Sequence, residues 1–238
     1  MRILLKITGE ALKSGENALD YKSIEYIASQ INPIYENRIE IGIVIGGGNL
    51  FRGKNLSKHG FSDFKSHYIG MLSTLMNAIA LEEVLTRNGI PTVIFSSMEV
   101  NRITKYFNYF DVNDAFAQKK VCIFPGGTGN PFFTTDSAAA LKAAETDSDL
   151  LIKATKVDGV YSEDPVTNKN ALYFPFITYQ DFLMRKLKIM DLTAIDICQQ
   201  KDLPIIVLDF FKPDNLYELL IDKRKVGSLI HKEEKWPI

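Results

Sequence analysis

Cysteine is scarce in this chain. Its 238 residues include two, Cys122 and Cys198, each set among apolar neighbours. Two isolated thiols build no disulfide framework, and with three histidines in all no zinc-type Cys/His spacing occurs. Both thiols are expected to be buried and inert. An excess of one charge is missing as well: 28 Lys and Arg stand against 29 Asp and Glu. Bulk electrostatics therefore offer nothing to nucleic acid or an anionic membrane, although a local anion site fits this balance. No unbroken apolar run approaches the roughly 18 residues that span a bilayer. The chain opens on a strand-like run at 2–8 with no leader-like stretch before it. A cytoplasmic protein without membrane or nucleic-acid partners is the expectation. What remains is ordinary for a globular chain, 46% hydrophobic and 24% charged, and long enough for one substantial core.

Short apolar runs alternate with longer helical patterns. Strands are expected at 3–7, 39–45, 92–95, 121–124, 150–153 and 205–208. Most are continuously apolar, as strands buried on both faces are. Ile24, Ile27, Ile31 and Ile34 recur at helical spacing, as do Ile69, Leu72, Met76, Ile79 and Ala80, a helix closed by Asn88-Gly89. Further helices are expected at 138–144, 181–187, 192–200 and 215–221. Strand-helix-strand alternation predicts an α/β fold, a mostly parallel sheet covered by helices on both faces. Residues 156–175, rich in Asp, Asn and Pro, read as a long loop with room for a β-hairpin. Residues 231–238 read as a loosely held polar tail.

Ligands of such sheets gather beyond the carboxyl ends of the strands, and the unusual residues cluster there. The segment Gly126-Gly127-Thr128-Gly129-Asn130-Pro131-Phe132-Phe133-Thr134-Thr135-Asp136 joins an apolar strand to a helix. Its glycines let backbone approach a ligand. Its three threonine hydroxyls and the amides entering the helix suit phosphate, and the two phenylalanines suit an aromatic base. Helix capping alone accounts for one such residue, not a dozen. Gly46-Gly47-Gly48 directly follows another strand and has Arg52 close by, which favours phosphate contact over a plain tight turn. Lys6 and Lys153 interrupt apolar strands near their ends. A lysine there is costly without a charge to meet, although a snorkelling stem is the alternative. Asp136 and Asp191 each precede a helix, so N-capping competes with a place among phosphate-binding lysines. Gly48 to Asn55 nearly spells a P-loop, but Asn55 lacks the hydroxyl that would meet magnesium. The match reads as coincidence.

Together these residues resemble the bacterial uridylate kinases of the amino acid kinase family. The resemblance runs over nearly the whole chain, and its most specific string is Gly127 to Asp136. It implies one three-layer α/β/α sandwich over 1–238, with a lobe of roughly 1–145 for UMP and one of roughly 146–238 for the ATP nucleoside. It further implies γ-phosphoryl transfer from ATP to UMP in pyrimidine biosynthesis, Mg2+ carried with ATP and no direct protein ligand to it, and a homohexamer. By that resemblance Lys6, Ile7, Thr8, Gly9, Gly48 and Arg52 meet the triphosphate, and Thr155, Tyr161 and Asp164 the donor nucleoside. Gly47, Thr128, Gly129, Asn130, Pro131, Phe132, Phe133, Thr134 and Thr135 match the UMP site. Lys6, Arg52, Asp136, Asp191 and Lys153 are the implied catalytic group.

Two departures follow. His67 stands where the family has Asp against the UMP ribose, so weaker or pH-dependent UMP affinity is expected. The loop at 13–18 is short, which puts carry-over of GTP activation and UTP inhibition in doubt. The competing functions are a nucleotide-binding or storage protein, a kinase of carboxylates or carbamates, and a P-loop kinase.

Overall fold

The computed structural model describes residues 1–51, 56 and 60–238. The apolar runs form strands β1 (Arg2–Ile7), β2 (Glu40–Ile45), β3 (Thr92–Ser96), β5 (Val121–Ile123), β6 (Leu150–Thr155) and β10 (Ile205–Asp209). Short strands β4 (Lys105–Tyr106), β9 (Phe176–Ile177) and β11 (Ser228–Ile230) extend the sheet to nine, ordered β4-β3-β5-β2-β1-β6-β10-β11-β9. Every pairing is parallel except β10 with β11.

Side chains of a strand alternate between the faces of its sheet. Along β1, Ile3, Leu5 and Ile7 enter one core with helices α1 (Tyr21–Glu36), α2 (Asp63–Arg87) and α7 (Asn215–Leu220). Leu4 enters the other, with α3 (Tyr109–Ala117), α4 (Thr135–Glu145), α5 (Tyr179–Arg185) and α6 (Leu192–Lys201). Helices on both faces of a sheet whose central strands are buried make the expected three layers. The hairpin within 156–175 is present as β7 (Val160–Tyr161) against β8 (Tyr173–Phe174).

Three expectations need correction. Helix α3 and the short strands β4, β9 and β11 went unforeseen, because pieces so short carry no readable period. The tail is not loosely held: Trp236 and Ile238 pack on the first core and His231 is buried. Although no unbroken apolar run is long enough, α2, a helix of 25 residues, is long and apolar enough by length and composition to cross a membrane. Half of its apolar stretch is buried inside the protein, where Leu75, Ala78, Leu81 and Leu85 pack, so α2 is a core helix. Both cysteines are buried, and burial pushes each thiol up to about 12.

Candidate active site

Strand β1 lies where the sheet turns back on itself, with β2 and β5 on one side and β6 and β10 on the other. A crevice opens at the carboxyl ends of strands at such a point. Lys6 and Lys153 are register partners across β1 and β6 and emerge on the face covered by α4. That helix is lined with Ala138, Ala139, Ala140 and Ala143, all buried, so its backbone can lie close to the sheet. Its first turn carries Asp136 between the two lysines. Lys6 Nζ lies 2.9 Å from Oδ1 and Lys153 Nζ 2.5 Å from Oδ2, all three side chains being nearly buried. Oδ1 accepts no hydrogen bond of good geometry, so the Lys6 contact is one of charge.

Burial pushes the Asp136 carboxyl up, but the two ammonium groups overcome it and hold the group below its ordinary value. Lys153 is drawn down to about 8, first by burial and then by repulsion from Lys6, against the pull of Asp136. Two ammonium groups sharing one carboxylate in a closed setting can turn towards an incoming anion, which suits a phosphoryl group in transfer.

A second junction lies beside this one. Thr134 caps α4, its hydroxyl oxygen accepting from the amides of Asp136 at 3.1 Å and Ser137 at 3.3 Å. The same hydroxyl donates to Asp191. Ser137 Oγ lies 3.1 Å from both Asp191 oxygens, and Asp191 caps α6 by accepting from Ala194 N at 2.8 Å. The N-termini of α4 and α6 therefore meet through one carboxylate, and their partial positive ends face the same region. Asp136 and Asp191 are thus placed together, and Asp191 is a helix cap as well.

The glycine turn is built by close contact. A Cβ on Gly9 would lie 2.5 Å from Gly46 O and 2.8 Å from Gly48 N. One on Gly47 would lie 2.7 Å from Gly70 O in α2. Helix α2 secures the turn: buried Asn77 donates to Gly46 O at 2.6 Å and exchanges amide hydrogen bonds with Asn49. Thr74 Oγ1 accepts from Gly126 N at 2.7 Å and so ties in the second glycine segment.

Between these parts is a cavity of about 380 Å³. Its walls include Thr8, Gly9, Gly47, Gly48, His67, Thr128, Asn130, Phe133, Thr134 and Thr135 from the residues singled out above. Phe132 is exposed, holds a left-handed backbone at φ 72°, and rests its ring 5.0 Å from that of His67. The side chain of Ile7 belongs to the core, and its carbonyl accepts from Gly46 N at 2.9 Å. Thr155 ends β6, whereas Tyr161 and Asp164 stand on the β7–β8 hairpin and line no part of this cavity. Tyr161 donates to Asp158 at 2.8 Å and is raised to about 12 by that bond and then by burial. Asp164 accepts from Val166 N within its own turn. Arg52, Lys54 and Asn55 lie outside the described residues.

Sequence reasoning missed Ser66, Thr74 and Asn77. A polar side chain at helical spacing within an apolar α2 stripe was the available signal, since buried polar groups require partners.

Comparison with known proteins agrees with this architecture. The pattern of the Amino acid kinase family matches residues 1–209. The chain is 41% identical over 233 residues to a uridylate kinase of Yersinia enterocolitica, covering 98% of this chain and 94% of that protein. It is 42% identical over 230 residues to a uridylate kinase of Pseudomonas aeruginosa, covering 96% and 94%. The crystal structure of UMP kinase from Bacillus anthracis superposes with a TM-score of 0.94 at 32% identity, covering 98% of this chain and 96% of that one.

Proposed function

The chain belongs to the amino acid kinase family, and on that premise we propose that it transfers the γ-phosphoryl of ATP to UMP, giving ADP and UDP for pyrimidine nucleotide synthesis. The observation that carries the reading is the Lys6–Asp136–Lys153 cluster beside a cavity of glycine amides, threonines and an aromatic wall. UMP sits in that cavity, with Gly47 and the segment Thr128 to Thr135 around it and its base near Phe133. His67 and Phe132 stand at its side. The ATP triphosphate approaches Thr8, Gly9 and Gly48, and its nucleoside lies towards Thr155, Tyr161 and Asp164. The N-terminal lobe, roughly 1–145, thus serves UMP, and the remainder of the chain serves the donor nucleoside.

No side chain need attack, because a UMP phosphate oxygen is itself the nucleophile. Lys6 and Lys153 neutralise charge on the moving group, Asp136 holds them together and aligned, and the capped N-termini of α4 and α6 add fixed dipoles. Mg2+ prefers substrate phosphates, water and one or two carboxylates. On this reading the cation would arrive on ATP and shield its phosphates. Exposed Leu72, Met76 and Ile79 on α2 suit an interface between copies, in line with a cytoplasmic homohexamer.

ADP formation with ATP, Mg2+ and UMP, CMP, dUMP or no acceptor tests the reading. Fast turnover on UMP alone is expected. ATP binding without turnover on any acceptor would move the protein to the binding or storage class.

A further inference from the structure

One face of α2 presents Ser66, Gly70, Ser73, Thr74 and Asn77 at helical spacing, and this face lies along the two glycine segments. Almost every polar group in this stripe is spoken for. Asn77 holds Gly46 and Asn49, and Thr74 takes Gly126 N and donates to Met71 O at 2.6 Å. Ser73 donates back to Ile69 O at 2.8 Å, the usual resort of a hydroxyl within a helix. Ser66 is the exception. It is 1% exposed, it lines the cavity, and its Oγ has no hydrogen-bond partner among the described residues. The carbonyl one turn back, Ser62 O, already accepts from Ser66 N at 3.0 Å. A buried hydroxyl without a partner is costly, and with no bond holding it its rotamer is open to change.

We propose that Ser66 is an acceptor-binding residue whose hydroxyl hydrogen-bonds a ribose hydroxyl of the nucleotide in the cavity. Its position within the cavity selects that group. Gly70 closes on Gly47, the floor on which a phosphate would rest. Ser66 is one turn along the helix from Gly70, a rise of about 6 Å, on the side of His67. A nucleotide with its phosphate at the glycines places its sugar, not its base, at that remove. A serine oxygen both donates and accepts, so either orientation of the sugar hydroxyl satisfies it.

This inference rests on the UMP reading, and the test separates the two. Steady-state kinetics compare wild type and Ser66→Ala on UMP, dUMP and 3′-deoxy-UMP, with thermal unfolding recorded with and without UMP. Wild-type turnover on UMP establishes the parent reading; its absence would sink both. Given that turnover, Ser66→Ala should raise KM for UMP about three- to tenfold at nearly constant kcat. For the deoxy analogue that lacks the contacted hydroxyl, KM should hardly change between the two proteins. The Tm of the ligand-free variant should hold or rise, because an unpaired hydroxyl has been removed, while the upward shift produced by UMP should shrink. An unchanged KM for UMP, an equal KM rise for all three acceptors, or a lowered Tm of the ligand-free variant would overturn the assignment.

Discussion

Lys6 and Lys153 stand opposite one another on adjacent parallel strands and close on the same carboxylate. Two like charges side by side in a buried place are tolerable only because Asp136 lies between them. The arrangement keeps two ammonium groups in place for an anion.

Asp136→Asn removes the compensating charge and leaves two nearly buried ammonium groups. Breaking a buried pair in this way costs about 3–5 kcal/mol, and kcat should fall about 10²- to 10³-fold as the lysines move apart. Urea unfolding and single-turnover kinetics read the two effects. A stable variant with wild-type kcat would show that Asp136 does not organise the lysines.

The displaced Lys153 pKa gives a pH signature. In the folded protein it is about 8, below its ordinary 10.5, so between those values the unfolded chain binds more protons. Stability should therefore rise with pH across about 8 to 10.5 from this group and be indifferent to it below. Asp136 acts in the acid range: its pKa is lowered, so its contribution is present above its ordinary 3.8 and lost as pH falls below that. On the proposed mechanism the Lys153 ammonium meets the transferring phosphoryl, so kcat/KM should decline above about pH 8. The fall in kcat should come at higher pH, since bound phosphates favour the charged lysine. In Lys153→Arg the alkaline decline should disappear.

Glycine substitutions should divide by their surroundings. Gly9→Ala drives a methyl against Gly46 O and Gly48 N and should cost about 1–3 kcal/mol, with at least a tenfold loss of kcat/KM. A Cβ on Gly70 meets nothing within 4 Å. Gly70→Ala should gain about 0.5–1 kcal/mol within the helix while crowding the cavity, so Tm rises and KM for UMP rises with it. Calorimetry and kinetics on both variants decide the matter.

Asn77→Leu keeps the branched shape of the side chain but leaves Gly46 O and Asn49 without their partner. A loss of about 1–3 kcal/mol is expected, along with weaker binding of both nucleotides as the glycine turn loosens. Urea titration and isothermal calorimetry measure these. If nucleotide affinities stay at the wild-type level, the turn is held by other means.

Much of this was legible beforehand, for physical reasons. Strands buried on both faces announce themselves as unbroken apolar runs, and all six expected strands are present. The functional segments are conspicuous because their residues are poor choices for anything else: three glycines after a strand, a lysine inside one, threonines crowded at a helix start. Expecting His231 to Ile238 to be loose was wrong because polarity does not reveal that Trp236 and Ile238 reach the core. Asp191 is an N-cap of α6, and the same carboxylate also binds Thr134 and Ser137 at the start of α4, a contact that helix capping does not predict.

Composition, period and local chemistry decided the class of fold and the glycine- and threonine-rich character of residues 46–48 and 126–136 at the ends of the strands. Those properties are set by neighbours along the chain. Only the tertiary structure could decide that Lys6 and Lys153 share Asp136, that the α4 and α6 N-termini meet at Asp191, and that the Ser66 hydroxyl, alone in its stripe, has no partner among the described residues. Each of these depends on elements far apart in sequence brought together by burial, and no local pattern encodes which distant group a side chain will meet.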